Sequence, residues 1–156
     1  MTLRIKEIFR DLYRSPIGLL EIIANKNALL VVSKINLLDS NINPNEITNK
    51  TKNQLESYFN KNLKNFDLPL NPQGSNFNKK VWNELIKIPF GEVKSYKQIA
   101  QNINNPNAYR AVGNANNKNP ILIIIPCHRV IKNDGSIGGY ALEINIKKQL
   151  LELENN

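Results

Sequence analysis

The sequence predicts an α/β protein in two parts: a small sheet-plus-helix domain over residues 1–70, then a mainly helical domain over residues 71–156. Three observations lead there. The first 35 residues carry short apolar runs separated by turn signals. Apolar residues at helical spacing begin only further on, with Leu55, Tyr58 and Phe59. Pro69, Pro72 and Gly74 then punctuate the chain between two periodic stretches. A length of 156 residues suits one ordinary domain or two small ones and excludes a large multidomain enzyme.

In order, residues 5–13 read as a strand, and Ser15-Pro16-Ile17-Gly18 as a turn. Residues 19–24 and 28–35 are apolar runs around Asn25-Lys26-Asn27, a hairpin signal. Residues 39–46 form a polar loop, and the spacing predicts a helix over 48–62. Past the linker, Phe77, Val81, Leu85 and Ile88 describe an amphipathic helix stopped by Pro89 and Gly91. Ser95 and Gln98 make a capping box opening a short helix through Ile103. Asn104-Asn105-Pro106 is a turn, with Pro106 expected at the first position of a second helix over 107–117. Two short helices joined this way are the pattern of a helix-turn-helix, or a chance pairing of short helices. The five apolar residues 121–125 are expected to form a buried strand, and residues 144–154 a helix.

The net charge of +8 is unevenly placed. Residues 71–132 hold nine Lys and Arg against Glu84 and Glu92, so this stretch alone carries +7. A positive region of that density suits nucleic acid; a solvated lysine-rich surface is the other reading. The 27 asparagines point to AT-rich codons rather than to function. No apolar run approaches the ~20 residues of a membrane span. The stretch Met1 to Glu7 lacks the apolar core of a secretory signal, so a cytoplasmic protein is expected. One Cys and one His cannot supply a structural zinc site, and neither metal nor cofactor is expected.

Those two residues are adjacent. Pro126 should end the apolar strand and place Cys127 on a fixed turn, followed by His128, Arg129 and Val130. A lone Cys is commonly an inert small hydrophobe. A histidine and an arginine beside it favour the thiolate, the form that attacks electrophiles. Neighbours on an extended strand point apart, so proton transfer from Cys127 to His128 requires a turn or an intervening water.

Here the chain closely resembles the O6-alkylguanine-DNA alkyltransferases, also called methylated-DNA–protein-cysteine methyltransferases. The signature is Ile125-Pro126-Cys127-His128-Arg129-Val130, preceded by Asn119-Pro120 and followed by Gly138-Gly139-Tyr140. Phe77, Val81-Trp82, Ile88-Pro89, Gly91, Ser95-Tyr96 and Arg110-Ala111-Val112-Gly113 keep the family's order and spacing. Lys147 and the run ending at Glu154 also match, and Ser15 to Leu19 extends the likeness weakly to the front.

The resemblance implies a ribonuclease-H-like first domain and a suicide methyltransferase that reverses O6-alkylguanine, and O4-alkylthymine, in double-stranded DNA. It implies a monomer with no membrane partner. Cys127 matches the alkyl acceptor, His128 the residue that relays the thiol proton through a water, and Glu154 the carboxylate orienting it. Asn119 matches a hinge residue before the acceptor segment. Tyr96 and Arg110 match the residues that rotate the nucleotide out and fill its place. Ser95, Ala108, Ala111 and Gly113 belong to the DNA-contacting face. Pro126, Val130, Tyr140, Ala141 and Lys147 belong to the base pocket, where carbonyls at Cys127 and Val130 accept from the base amino group. The chain departs from the family at Ala141-Leu142-Glu143, where many relatives have glycine, and at Tyr109, which replaces a smaller residue. A cysteine hydrolase would need a separate base, and a transcription regulator leaves the Cys-His-Arg cluster unexplained.

Overall fold

A computed structural model describes residues 7–138 and 144–155. The chain forms two compact units, Met1–Pro72 and Gln73–Asn156.

The first unit is an antiparallel meander of β1 (Phe9–Ser15), β2 (Gly18–Ala24) and β3 (Leu29–Lys34) with one helix, α1 (Glu46–Phe59). The first strand runs later than residues 5–13 because its register is set by the following turn. Ser15 faces Gly18 across a two-residue loop, and the Ser15 hydroxyl donates to the Gly18 carbonyl at 2.6 Å. Gly18 has φ of +120°, which a side chain would strain. The second turn is held by Asn25, whose Oδ1 accepts from the amides of Asn27 and Ala28, each at 2.8 Å.

Strict alternation along β2 buries Leu20, Ile22 and Ala24 on one face. Leu55 and Tyr58 of α1 are also fully buried. That helix starts at Glu46 because Asn45 and Thr48 form a reciprocal capping box, worth ~1 kcal/mol.

The second unit begins with α2 (Asn76–Ile86), capped by Ser75, which buries Val81, Trp82 and Leu85. The Trp82 indole donates to the Ala115 carbonyl at 2.9 Å, joining α2 to a later helix. Next come β4 (Lys94–Ser95), α3 (Tyr96–Asn102) and α4 (Tyr109–Asn117). Ser95 and Gln98 cap α3 reciprocally, as their spacing predicts. The start of α4 differs from expectation. Pro106 lies in the turn, the N-cap is Ala108 with no side-chain bond, and the helix opens at Tyr109.

Residues 121–125 are not a strand. They coil through a tight turn in which the Ile124 amide donates to the Leu122 carbonyl at 2.8 Å and Ile123 has φ of +71°. A β-branched residue there is strained by ~1–3 kcal/mol. All five side chains are nevertheless buried, and each fully buried Ile or Leu contributes ~1.5–3 kcal/mol. Burial therefore exceeds the strain several-fold. A Cys127–Arg129 3-10 turn follows, then β5 (Val130–Ile131), which pairs in parallel with β4. The chain closes with α5 (Ile144–Asn155).

Candidate active site

Two turns in series deliver Cys127. Asn119 clamps the first across its mouth: its Oδ1 accepts from the Ile121 amide at 2.9 Å and its Nδ2 donates to the Ile125 carbonyl at 2.7 Å. Pro126 then sits at φ −83° and ψ 65°, and the Cys127 amide donates to the Ile125 carbonyl at 2.8 Å, an inverse γ-turn. The expected fixed turn before Cys127 is thus present, although no strand leads into it. The Cys127 carbonyl accepts from Asn116 Nδ2 at 3.2 Å. Asn116 is a residue that sequence reasoning missed, whereas Asn119, expected at a hinge before the acceptor segment, bridges the turn there.

Cys127 and His128 lie together in the 3-10 turn rather than on an extended strand. His128 is fully buried and its Nε2 lies 2.6 Å from Glu154 Oε2 on α5. A carboxylate can only accept, so Nε2 carries the proton and Nδ1 presents a lone pair. Burial holds the His128 pKa below its ordinary 6.5, although Glu154 opposes the shift. The imidazole is therefore neutral near pH 7, with Nδ1 able to take a proton.

Glu154 is held in turn. Arg129 Nε and Nη2 donate to its two oxygens at 2.8 and 3.0 Å, and the Gly91 amide reaches Oε1 at 3.3 Å. Arg129 Nη1 donates to the Ile88 carbonyl at 2.7 Å. Arg129 thus turns to Glu154 and Ile88, where the sequence suggested a positive neighbour acting directly on Cys127. A single buried carboxylate joins α5, the 3-10 turn and the loop after α2.

Lys147, fully buried on α5, donates to the Val130 carbonyl at 2.6 Å and the Ile137 carbonyl at 2.7 Å. Burial lowers its pKa to about 8, while Cys127 acts in the opposite sense, since a thiolate there favours the ammonium. Its Nζ lies 5.9 Å from the centroid of the Tyr96 ring. Tyr96, half-buried at the start of α3, lies against Gly138, where a Cβ would come within 3.3 Å of the ring. Burial raises its pKa, and Cys127 raises it further. Cys127, Tyr96 and Lys147 thus form one electrostatic neighbourhood.

Beside it opens a concavity of about 620 Å³ on the α3–α4 face, whose lining includes Tyr96, Lys97, Arg110, Gly113 and Lys132. Arg110 and Ala111 are exposed on the first turn of α4, and Ala108 is its N-cap. Ser95, assigned by resemblance to the DNA-contacting face, is buried, and its hydroxyl is occupied in capping α3. Pro126 and Val130 are buried beside Cys127. Tyr140 and Ala141 lie outside the described residues.

Two short helices joined by a turn, followed by a buried cysteine whose neighbouring histidine is held by a carboxylate, define the class: a helix-turn-helix protein with a thiol at a built polar site. Family profiles give that class its identity. Residues 76–156 match the DNA-binding domain of 6-O-methylguanine DNA methyltransferase, and residues 8–72 its ribonuclease-like domain. The chain belongs to the 6-O-methylguanine DNA methyltransferase family.

A methylated-DNA–protein-cysteine methyltransferase of Methanosarcina acetivorans is 46% identical over 155 residues, covering 96% of this chain and 99% of that one. The solved Mycobacterium tuberculosis O6-methylguanine methyltransferase superposes with a TM-score of 0.86 at 38% identity, over 96% of this chain and 93% of that one. The Mycobacterium tuberculosis OGT in complex with DNA gives 0.84 at 40% identity, over 92% and 91%.

Proposed function

We propose that this chain repairs DNA by direct reversal: it moves the alkyl group of O6-alkylguanine in duplex DNA, and of O4-alkylthymine, onto Cys127, once per molecule. The observation that carries the reading is the single cysteine of the chain on a fixed turn, followed at once by a neutral histidine whose Nδ1 lone pair is available. The thiol gives its proton to His128 through a water, and Glu154 stabilises the imidazolium formed. The sulfur then forms its bond to the alkyl carbon as the carbon–oxygen bond breaks, leaving the electron pair on the base. The product thioether has no carbonyl for water to attack, so Cys127 is not regenerated.

A base inside a duplex is out of reach, so the nucleotide must first leave the stack. Arg110, exposed on α4, is assigned the vacated space, and Tyr96, at the rim of the concavity, the turning of the nucleotide. Ala108, Ala111 and Gly113 are small enough for the helix to approach the groove closely. Val130 gives its carbonyl to Lys147 and keeps a second lone pair for the base amino group, whereas the Cys127 carbonyl already accepts from both Asn116 Nδ2 and the Val130 amide. Lys147 stabilises the leaving base. Among the described residues no helix is long and apolar enough to cross a membrane. A protein that acts on cellular DNA works beside it, so the cytoplasm is its assigned compartment, and one acceptor per chain suits a monomer.

The test is incubation with an O6-methylguanine duplex followed by intact-mass measurement and peptide mapping. One added methyl group on Cys127 is expected. An unchanged mass, or a methyl group elsewhere, contradicts the reading.

A further inference from the structure

Asn116 sits on the buried face of α4 with Val112 and Ala115, and none of its side chain reaches solvent. Its orientation is fixed by chemistry. The Cys127 carbonyl can only accept, so Nδ2 must face it and Oδ1 must point elsewhere. Oδ1 is buried without a hydrogen-bond partner, and the other buried side-chain atom in that condition among the described residues is His128 Nδ1. Both atoms belong to side chains that flank Cys127, one bonded to its carbonyl and one next to it in the chain. Each is an acceptor, since Nε2 holds the imidazole proton.

A buried acceptor left unpaired loses its hydration in full with nothing in return. Around these two the other polar groups are well served: Glu154 accepts from Arg129, His128 and the Gly91 amide, and Lys147 donates to two carbonyls. The partner that satisfies two acceptors at once must donate twice. If it is also to receive the thiol proton, it must accept as well. A water molecule does all three, and buried waters typically make ~3 hydrogen bonds to groups otherwise unpaired.

We propose that Asn116 is a positioning residue for alkyl transfer: with His128 it holds one buried water against the Cys127 thiol. The proposal rests on Cys127 being the acceptor. In the transfer step the thiol proton passes to the water oxygen while one water proton passes to His128 Nδ1, so the water is restored. The sulfur electron pair goes to the alkyl carbon. Asn116 Oδ1 accepts the other water proton throughout, which aims the oxygen lone pair at the thiol. The residue holding the relay then stands on the helix that carries Arg110, under two turns from it.

Asn116→Leu keeps the branched shape in a somewhat larger side chain and removes both the acceptor and the Nδ2 donor to the Cys127 carbonyl, so a second background, His128→Phe, separates the two losses. Transfer from free O6-methylguanine and from the methylated duplex should both slow by about tenfold, part of what acid–base assistance supplies, with duplex affinity unchanged. In a His128→Phe background the same substitution should change the rate by less than about twofold, because the water then has no base to serve. Equal slowing in both backgrounds, the mark of a merely structural role, overturns the proposal, as does no slowing in either. The residues Lys147, Tyr96, Arg129 and Glu154 stay unaltered, so the charged groups around the site are the same throughout.

Should Asn116→Leu fail to fold, a crystal structure of the unaltered protein that resolves ordered water decides. A water within hydrogen-bond distance of both Asn116 Oδ1 and His128 Nδ1 supports the proposal; none there, or one reaching a single atom, overturns it. Failure of the underlying reading looks different, because the unaltered protein then gains no methyl group at Cys127.

Discussion

The α3–α4 face and the segment from Asn119 to Ile131 treat polar groups in opposite ways. On the face, Lys97, Arg110 and Lys132 are exposed around an open concavity. In the segment and the elements packed on it, His128, Arg129, Lys147 and Glu154 are all buried, and each is bonded to named partners. An exposed cation acts through water and salt, and its loss seldom disturbs the fold. A buried charge is held by geometry, and removing its partner strands it. Grip on DNA and chemistry on the alkyl group are therefore expected to respond to different substitutions.

The sharpest way to break that contrast is Cys127→Ala. Transfer should vanish while affinity for the methylated duplex persists, as read by gel shift; a matching collapse of affinity would merge the two regions. Next in size is Glu154→Ala, which leaves Arg129 buried without its carboxylate. A stability loss of ~3–5 kcal/mol is expected in denaturant unfolding, and a change under ~1 kcal/mol would mean the ion pair holds nothing. Arg110→Ala should act on the other side. Transfer from duplex should slow by about tenfold or more, or ~1.4 kcal/mol of barrier, while transfer from free O6-methylguanine stays unchanged. Equal slowing of both substrates would remove Arg110 from nucleotide extrusion.

Smaller effects follow from pH and salt. His128 is held neutral by burial, so below its ordinary pKa of 6.5 the unfolded chain binds a proton that the folded chain refuses. Stability should therefore fall on acidification from 6.5, with a limiting slope of ~1.4 kcal/mol per pH unit from this group. His128→Phe should flatten that part of the profile; an unchanged slope would assign it to other groups. Duplex binding should weaken steeply with salt and vary little among undamaged sequences. Strong preference for one undamaged sequence would show base reading on a face that has small residues at Ala108, Ala111 and Gly113.

Legibility in the sequence followed the range of the interaction. The α3 cap was readable because Ser95 and Gln98 act across three residues, and the first turn because Ser15 and Gly18 meet across a two-residue loop. The run at 121–125 declared its burial but not its shape, since five consecutive apolar residues carry no period and Ile123 takes a conformation that its side chain disfavours. Pro106 marked a turn truly and a helix start falsely, because a proline suits both. Cys127, His128 and Glu154 came from spacing that matched a family. Asn116 was one asparagine among 27, and only its place on the buried face of α4 sets it apart. The direction of Arg129, towards Glu154 and Ile88, depends on contacts 25 and 41 residues away, which adjacency to Cys127 could not reveal.

The most direct test of a single-use acceptor is to titrate the protein against an excess of O6-methylguanine duplex and count methyl groups removed per molecule. The count should rise to one and stop, with further incubation adding nothing. A count that keeps climbing would mean Cys127 is regenerated, and would contradict irreversible transfer to that residue.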